Sequence, residues 1–184
     1  MIVLETERLR LRHLDPSTDA EFILKLVNEP SFLQYIGDKG VHTLADARRY
    51  ITDGPQQSYE TNGYGLYKVE LKNGGTPIGM CGLVRRDTLP DADIGFAFLA
   101  GYWGEGYAYE SAAAVMNYAR DRLDMKRVLA ITTPDNVASG NLLNKLGLRF
   151  DRLIKLTADS PDVKLFTTDH DEDGTKSPDR RRTD

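Results

Sequence analysis

Apolar and charged residues alternate over residues 6–14, with Leu9 and Leu11 set between Arg8, Arg10 and Arg12. A period of two puts the leucines on one face of a strand and the arginines on the other. Asp15-Pro16-Ser17 interrupts the alternation and offers a cap for a helix, in which Phe22, Ile23, Leu26 and Val27 fall on one side. A second helix is predicted over residues 43–57, where Leu44, Ala47, Tyr50 and Ile51 keep helical spacing.

From Tyr64 onward the period shortens again. Residues 64–71 and 78–86 read as strands joined by Lys72-Asn73-Gly74-Gly75, a strong hairpin signal. A third strand over 92–99 completes an antiparallel meander. Gly101-Tyr102-Trp103-Gly104-Glu105-Gly106 follows, then an alanine-rich helix to about Leu123, with Ala108, Ala112, Val115, Met116 and Ala119 at intervals of three or four. Residues 126–132 predict a short strand and 136–146 a helix stopped by Gly147. Strands over 149–155 and 163–168 complete the set. Crossovers through helices make the last central strands parallel to their neighbours. The pattern predicts an α/β fold, a mixed and mostly antiparallel central sheet flanked by helices, in a single domain over residues 1–168. Residues 169–184 are charged, have no apolar face, and are expected to be a disordered tail.

The chain has 184 residues, enough for one ordinary core. Its 24 Lys and Arg against 28 Asp and Glu give a net charge of −4, which argues against nucleic acid as a partner. Cys81 is the single cysteine, so neither a disulfide framework nor a cysteine-built zinc site is available. It lies in an apolar strand and reads as packing. His13, His42 and His170 are far apart in sequence and read as surface or structural residues, with no metal expected. No apolar run is long enough for a bilayer and the first residues lack a signal-peptide layout, so a soluble, cytoplasmic domain with no membrane partner is expected.

The glycine-rich turn carries the most chemistry. A strand ending at Leu99, then glycines, then a helix start offers unpaired N–H groups and a positive dipole end to a phosphate. A structural turn accounts for the same residues. A Walker loop is excluded because no Gly-Lys-Ser/Thr occurs, and a dinucleotide fold fits poorly because the turn follows a meander rather than a first strand.

Four blocks in order carry a resemblance to a known family: L-E-T-E-R-L-R-L-R, A-D-I-G-F-A-F, Y-W-G-E-G-Y-A-Y-E-S, and P-D-N-V-A-S-G-N-L-L-N-K-L-G-L at 134–148. Over residues 4–168 the chain resembles the GNAT superfamily of acyl-CoA N-acyltransferases, and within it the branch of ribosomal-protein N-terminal acetyltransferases. The resemblance implies transfer of an acetyl group from acetyl-CoA to a primary amine, a protein N-terminus or a small molecule, by direct attack in a ternary complex. The alternative is an acyl-CoA-binding module with weak or no turnover. A monomer or homodimer is expected.

The resemblance also implies site residues. Gly104, Glu105, Gly106, Tyr107, Ala108 and Tyr109 are expected to wrap the coenzyme pyrophosphate with backbone amides. Trp103 stands where relatives carry a residue able to pair with phosphate. Phe96, Ala97 and Phe98 are expected to lend backbone groups to the pantetheine arm, one amide also serving an oxyanion. Asn136 is expected to hydrogen-bond the pantetheine or acyl end, and it fits a helix N-cap equally well. Relatives place an acid Tyr where this chain has Leu143, and a basic strand acid where it has Ile131. Ser139 is the candidate donor to the leaving thiolate, with helix packing as its other reading. Asp93 is the candidate base; as a bland alternative it is a solvated charge near a turn. Tyr109 is a second candidate acid. Phe32, Tyr35, Tyr64 and Tyr67 are suggested to line an acceptor cleft, although aromatic residues more often form core.

Overall fold

In the computed structural model, which describes residues 1–168, the leucine–arginine alternation becomes a hairpin of two strands, β1 (Ile2–Glu5) and β2 (Leu9–Arg12). Only β2 was expected. β1 has no alternation to announce it and forms an outer edge, paired with β2 through an irregular register. Leu9 and Leu11 are fully buried, as a period of two requires.

Three short helices then cover one face of the sheet: α1 (Ala20–Val27), α2 (Pro30–Tyr35) and α3 (Leu44–Ile51). Thr43 caps α3, accepting from Asp46 N at 3.1 Å while the Asp46 carboxylate accepts from Thr43 N at 3.0 Å. The long helix expected over 43–57 is instead broken into α3, a π-helical turn (Thr52–Gln56) holding Pro55, and α4 (Gln57–Asn62). Pro55 removes one backbone donor and crowds the preceding turn, which is why regular α-geometry stops there. The anticipated cap at Asp15 does not form on α1. Asp15 closes a local turn onto Ser17 N, and the helix begins after Asp19.

β3 (Leu66–Leu71), β4 (Pro77–Val84) and β5 (Asp93–Phe98) form the meander. A 3-10 turn (Ala100–Tyr102) leads to α5 (Tyr107–Asp121), then β6 (Leu129–Thr132), α6 (Val137–Lys145), β7 (Arg149–Lys155) and β8 (Asp162–Thr167). The eight strands lie in the order β1-β2-β3-β4-β5-β6-β8-β7. Only β5 and β6 are parallel; β8 enters antiparallel between β6 and the edge strand β7. The expectation of parallel late strands therefore holds for one junction.

The sheet separates two cores. On one side α5 lays Ala112, Val115 and Ala119, all at 0% exposure, against Cys81, Leu83 and Ile94. On the other, Ile23, Leu26, Ala47 and Ile51 of α1 and α3 close over Met80. Tyr64 and Tyr67 belong to the first core rather than to a cleft, and Tyr67 lies parallel to Tyr59, which stacks on His13 at 3.9 Å. The proposed tail, with His170, lies outside the described residues.

Candidate functional site

The sheet changes character at β5. Six residues of β5 are in register with β4, from Gly79 opposite Phe98 to Val84 opposite Asp93. On its other side β5 meets β6 at one pair only, Asp93 opposite Leu129. Beyond that pair the strands part, and the wedge between them belongs to a cleft of about 1220 Å³.

Successive strand residues point their N–H and C=O groups to opposite sides. Leu99 N donates to Ile78 O at 2.9 Å, so the odd-numbered residues of β5 serve β4. Ala97 thus directs its backbone to Met80, whereas Phe96 and Phe98 face the wedge. The Phe98 carbonyl accepts from Trp103 Nε1 at 2.9 Å. Trp103 therefore has a role that the sequence did not suggest: its ring closes off the end of β5.

Past Trp103, Gly104 and Gly106 take φ of +81° and +80°, a region that favours glycine. Gly106 is the N-cap of α5, and no side chain caps that end. The first helical bond there runs from Glu110 N to Gly106 O at 3.0 Å, leaving the N–H groups of Tyr107, Ala108 and Tyr109 without helical partners. The one carboxylate in the first turn of α5 is directed backward: Glu110 accepts from Thr6 Oγ1 at 2.5 Å, Arg8 N at 2.9 Å and Arg8 Nε at 2.7 Å. Arg8 also donates to the Glu105 carbonyl at 3.0 Å and sits 4.5 Å over the Tyr107 ring. The approach to β2 thus braces the turn from behind and keeps an anion out of the amide mouth. Glu105 is exposed and does not line the cleft; Gly104, Gly106, Tyr107, Ala108 and Tyr109 do.

The facing wall is the start of α6. Asn136 Oδ1 accepts from Ser139 N at 3.0 Å, so Asn136 is an N-cap, and its amide nitrogen takes no part in that cap. Ser139 lies in the first turn, half-buried, beside the buried Leu143. Thr133, on the same wall, has a buried Oγ1 with no hydrogen-bond partner among the described residues. A buried hydroxyl left unpaired is costly, and a polar ligand lying in the wedge would satisfy it.

At the far end of the cleft stands Asp93. It is 1% exposed and accepts from Arg86 Nε at 2.8 Å, which replaces the reading of a solvated charge. Burial pushes its carboxyl above the ordinary value; the charge and hydrogen bond of Arg86 oppose this without cancelling it. Phe32 and Tyr35 of α2, Lys39, and Tyr50 of α3 also line the cleft, Lys39 and Tyr50 within reach of the Arg86 charge. Cys81 is fully buried outside the cleft, its thiol pushed up to about 12 by burial, so it is not a nucleophile.

One cleft thus joins an uncapped helix start, a strand edge with unused hydrogen-bonding groups, a serine and a buried carboxylate. Such a set suits transfer of an acyl group from a phosphate-bearing donor. The chain belongs to the acetyltransferase (GNAT) domain family, whose model matches residues 8–149. It is 28% identical over 154 residues to the uncharacterized Bacillus subtilis protein YkkB, covering 83% of this chain and 88% of that one. It is likewise 28% identical over 156 residues to the uncharacterized N-acetyltransferase p20 of Bacillus licheniformis, covering 84% and 86%. The fold matches an acetyltransferase of Agrobacterium tumefaciens with a TM-score of 0.77 at 23% identity, covering 91% and 94% of the two chains. The ribosomal-protein-S5-alanine acetyltransferase of Vibrio fischeri matches with a TM-score of 0.75 at 18% identity, over 94% and 98%. The protein is an acetyltransferase of the GNAT family.

Proposed function

We propose that the protein transfers an acetyl group from acetyl-CoA to a primary amine, the amine attacking directly while both substrates are bound. The observation that carries this is the parting of β5 from β6, which leaves Phe96 and Phe98 facing a wedge that ends at the uncapped start of α5. The amides of residues 107–109 are suited to hold the pyrophosphate. The backbone of Phe96 and Phe98 is suited to pair with the pantetheine amides, as an added strand pairs with a sheet edge. Asn136 Nδ2 and Thr133 Oγ1 offer further hydrogen bonds from the opposite wall. From Phe98 back to Ile94 is four residues, about 13 Å at the strand rise, so the arm leads from the turn toward Asp93.

The thioester supplies an activated acyl carbon, and the chain's own residues manage charge and protons. The amine nitrogen bonds to that carbon, the carbon–sulfur bond breaks, and Asp93 accepts the proton that the nitrogen gives up. A base works best when its pKa approaches the working pH, so a carboxyl raised by burial is better suited than an ordinary one. The Phe96 N–H faces the wedge where charge gathers on the acyl oxygen. Ser139 Oγ is the candidate donor to the departing thiolate. Phe32, Tyr35 and Tyr50 would enclose the acceptor.

Thermal unfolding with and without ligand tests the donor. Acetyl-CoA at a hundred times its dissociation constant should add about 2.7 kcal/mol; greater stabilisation by ATP or a nicotinamide cofactor would overturn the reading. Gly106→Glu places a negative charge in the amide mouth and should abolish this shift. Gly106→Ala carries the same backbone strain without the charge and should retain most of it. Release of free thiol over an amine panel then separates an enzyme from a module that binds without turnover.

A further inference from the structure

We propose that the acceptor is a primary amine carrying a carboxylate close to it, held by Lys39 and Arg86 at the Asp93 end of the cleft. The inference rests on the transfer reading above and names its substrate class.

This end of the cleft has more cationic groups than anionic ones. Lys39, Arg86, Asp93 and Tyr50 all line the cleft, and the charge of Arg86 acts on both Lys39 and Tyr50. Asp93 accepts one hydrogen bond from Arg86, through Nε, and a guanidinium has five N–H donors. The Arg86 side chain remains 35% exposed. Lys39 forms no ion pair among the described residues. The carboxylates of its own loop and the next helix are committed elsewhere: Asp38 to Gly40 N at 2.7 Å, with His42 at 3.7 Å, and Asp46 to the cap of α3 and to Arg49. Partial burial, then the nearby charge of Arg86, hold the Lys39 ammonium below the usual lysine range, so the two cations share one neighbourhood.

With Asp93 paired to Arg86 alone, Lys39 adds an unbalanced positive charge where the amine must arrive. An amine bearing further positive charges is repelled there, and one bearing a carboxylate is drawn in. The distance is restrictive. Arg86 is bonded to the same Asp93 that receives the amine's proton, so an anchored carboxylate lies within a few bonds of the reacting nitrogen. A free α-amino acid and a peptide with an acidic residue next to its N-terminus both satisfy this.

The test uses matched acceptors with the full chain: alanine against alaninamide, and Ala-Asp-Ala-amide against Ala-Asn-Ala-amide, with spermidine as the polycation. At least one carboxylate acceptor should exceed its amide twin by about tenfold in kcat/KM, a gap that narrows with added salt. The pair showing the gap identifies the source, amino acid or peptide. Lys39→Met should shrink the ratio about five- to tenfold, and Lys39→Glu should invert it, with the KM for acetyl-CoA unchanged. Equal rates within both pairs, preference for spermidine, or an equal loss on both twins in Lys39→Met would overturn the proposal. If acetyl-CoA stabilises the protein but no amine is acetylated, the transfer reading fails; recognition is then read by thermal unfolding with coenzyme A and each twin. Equal shifts from the twins would overturn it there too.

Discussion

Two groups of enclosed charges lie on this sheet and behave in opposite ways. In the first, Lys68 Nζ bridges Asp19 at 2.9 Å and Glu70 at 3.0 Å, while Arg12 reaches the same two carboxylates at 2.9 and 3.2 Å. Arg10 also reaches Glu70 at 3.5 Å, so three cations meet two carboxylates, tying β2 and β3 to the start of α1. Burial alone would raise Glu70, but Lys68 and Arg12 together outweigh it and hold the carboxyl below its ordinary value. In the second group Asp93 has a single partner, Arg86, and burial wins. The difference is one of stoichiometry: a carboxylate with several cations is fixed as an anion, whereas one with a single cation in a buried setting is poised to take a proton. The first group is closed and structural. The second opens into the cleft and suits chemistry.

The largest effect should come from opening the closed group. Lys68→Met leaves Asp19 with Arg12 alone and Glu70 with Arg12 and the more distant Arg10, and should cost about 3–5 kcal/mol in urea unfolding. A cost below about 1 kcal/mol would show that the group is not tightly coupled.

Next in size is turnover. Asp93→Asn should lower kcat by about a hundredfold with acetyl-CoA binding retained. The deficit should shrink at high pH, where the amine is already neutral. An equal deficit at every pH would make Asp93 a positioning residue, and near-normal turnover would remove it from the mechanism.

The smallest effect sharpens the comparison by sign. Asp93 titrates above its ordinary 3.8 in the folded chain, so its contribution to stability is complete below that value and is lost as pH rises through the folded pKa. Glu70 titrates below its ordinary 4.5, so its contribution is present above that value and is lost as pH falls. Urea unfolding of Asp93→Asn and Glu70→Gln against the parent should therefore give stability differences that drift in opposite directions from pH 4 to 7. Parallel drifts would refute the contrast.

These groups also mark how far the sequence could be read. The meander and α5 follow from periodicity because each buries its own apolar residues, whereas α6, with Leu143 its one buried residue, and the exposed β7 were marked by Gly147 between them. β1 and α2 escaped because they are short and take their place from neighbours: β1 is an edge strand, and only Phe32 of α2 is buried. At the site, the glycine turn and the N-cap Asn136 were visible because local backbone geometry demands those residue types. Arg8, Glu110, Lys39 and Arg86 were not, since their roles come from contacts such as Arg8–Glu110, 102 positions apart. Asp93 was singled out by motif, and its alternative reading as a solvated charge fails because a strand pattern does not reveal that the carboxyl is enclosed and paired with Arg86. Thr133 gave one weak signal, a hydroxyl beside the proline that precedes α6.

The bond from Trp103 Nε1 to the Phe98 carbonyl has an optical consequence. The chain has one tryptophan, and its ring, 53% exposed, is fastened to the strand that frames the cleft. Anything that settles along β5 changes the polarity around that indole or disturbs its hydrogen bond. The emission of the untouched protein therefore carries a reporter of cleft occupancy, free of background from any second indole, on the wall where the donor is placed.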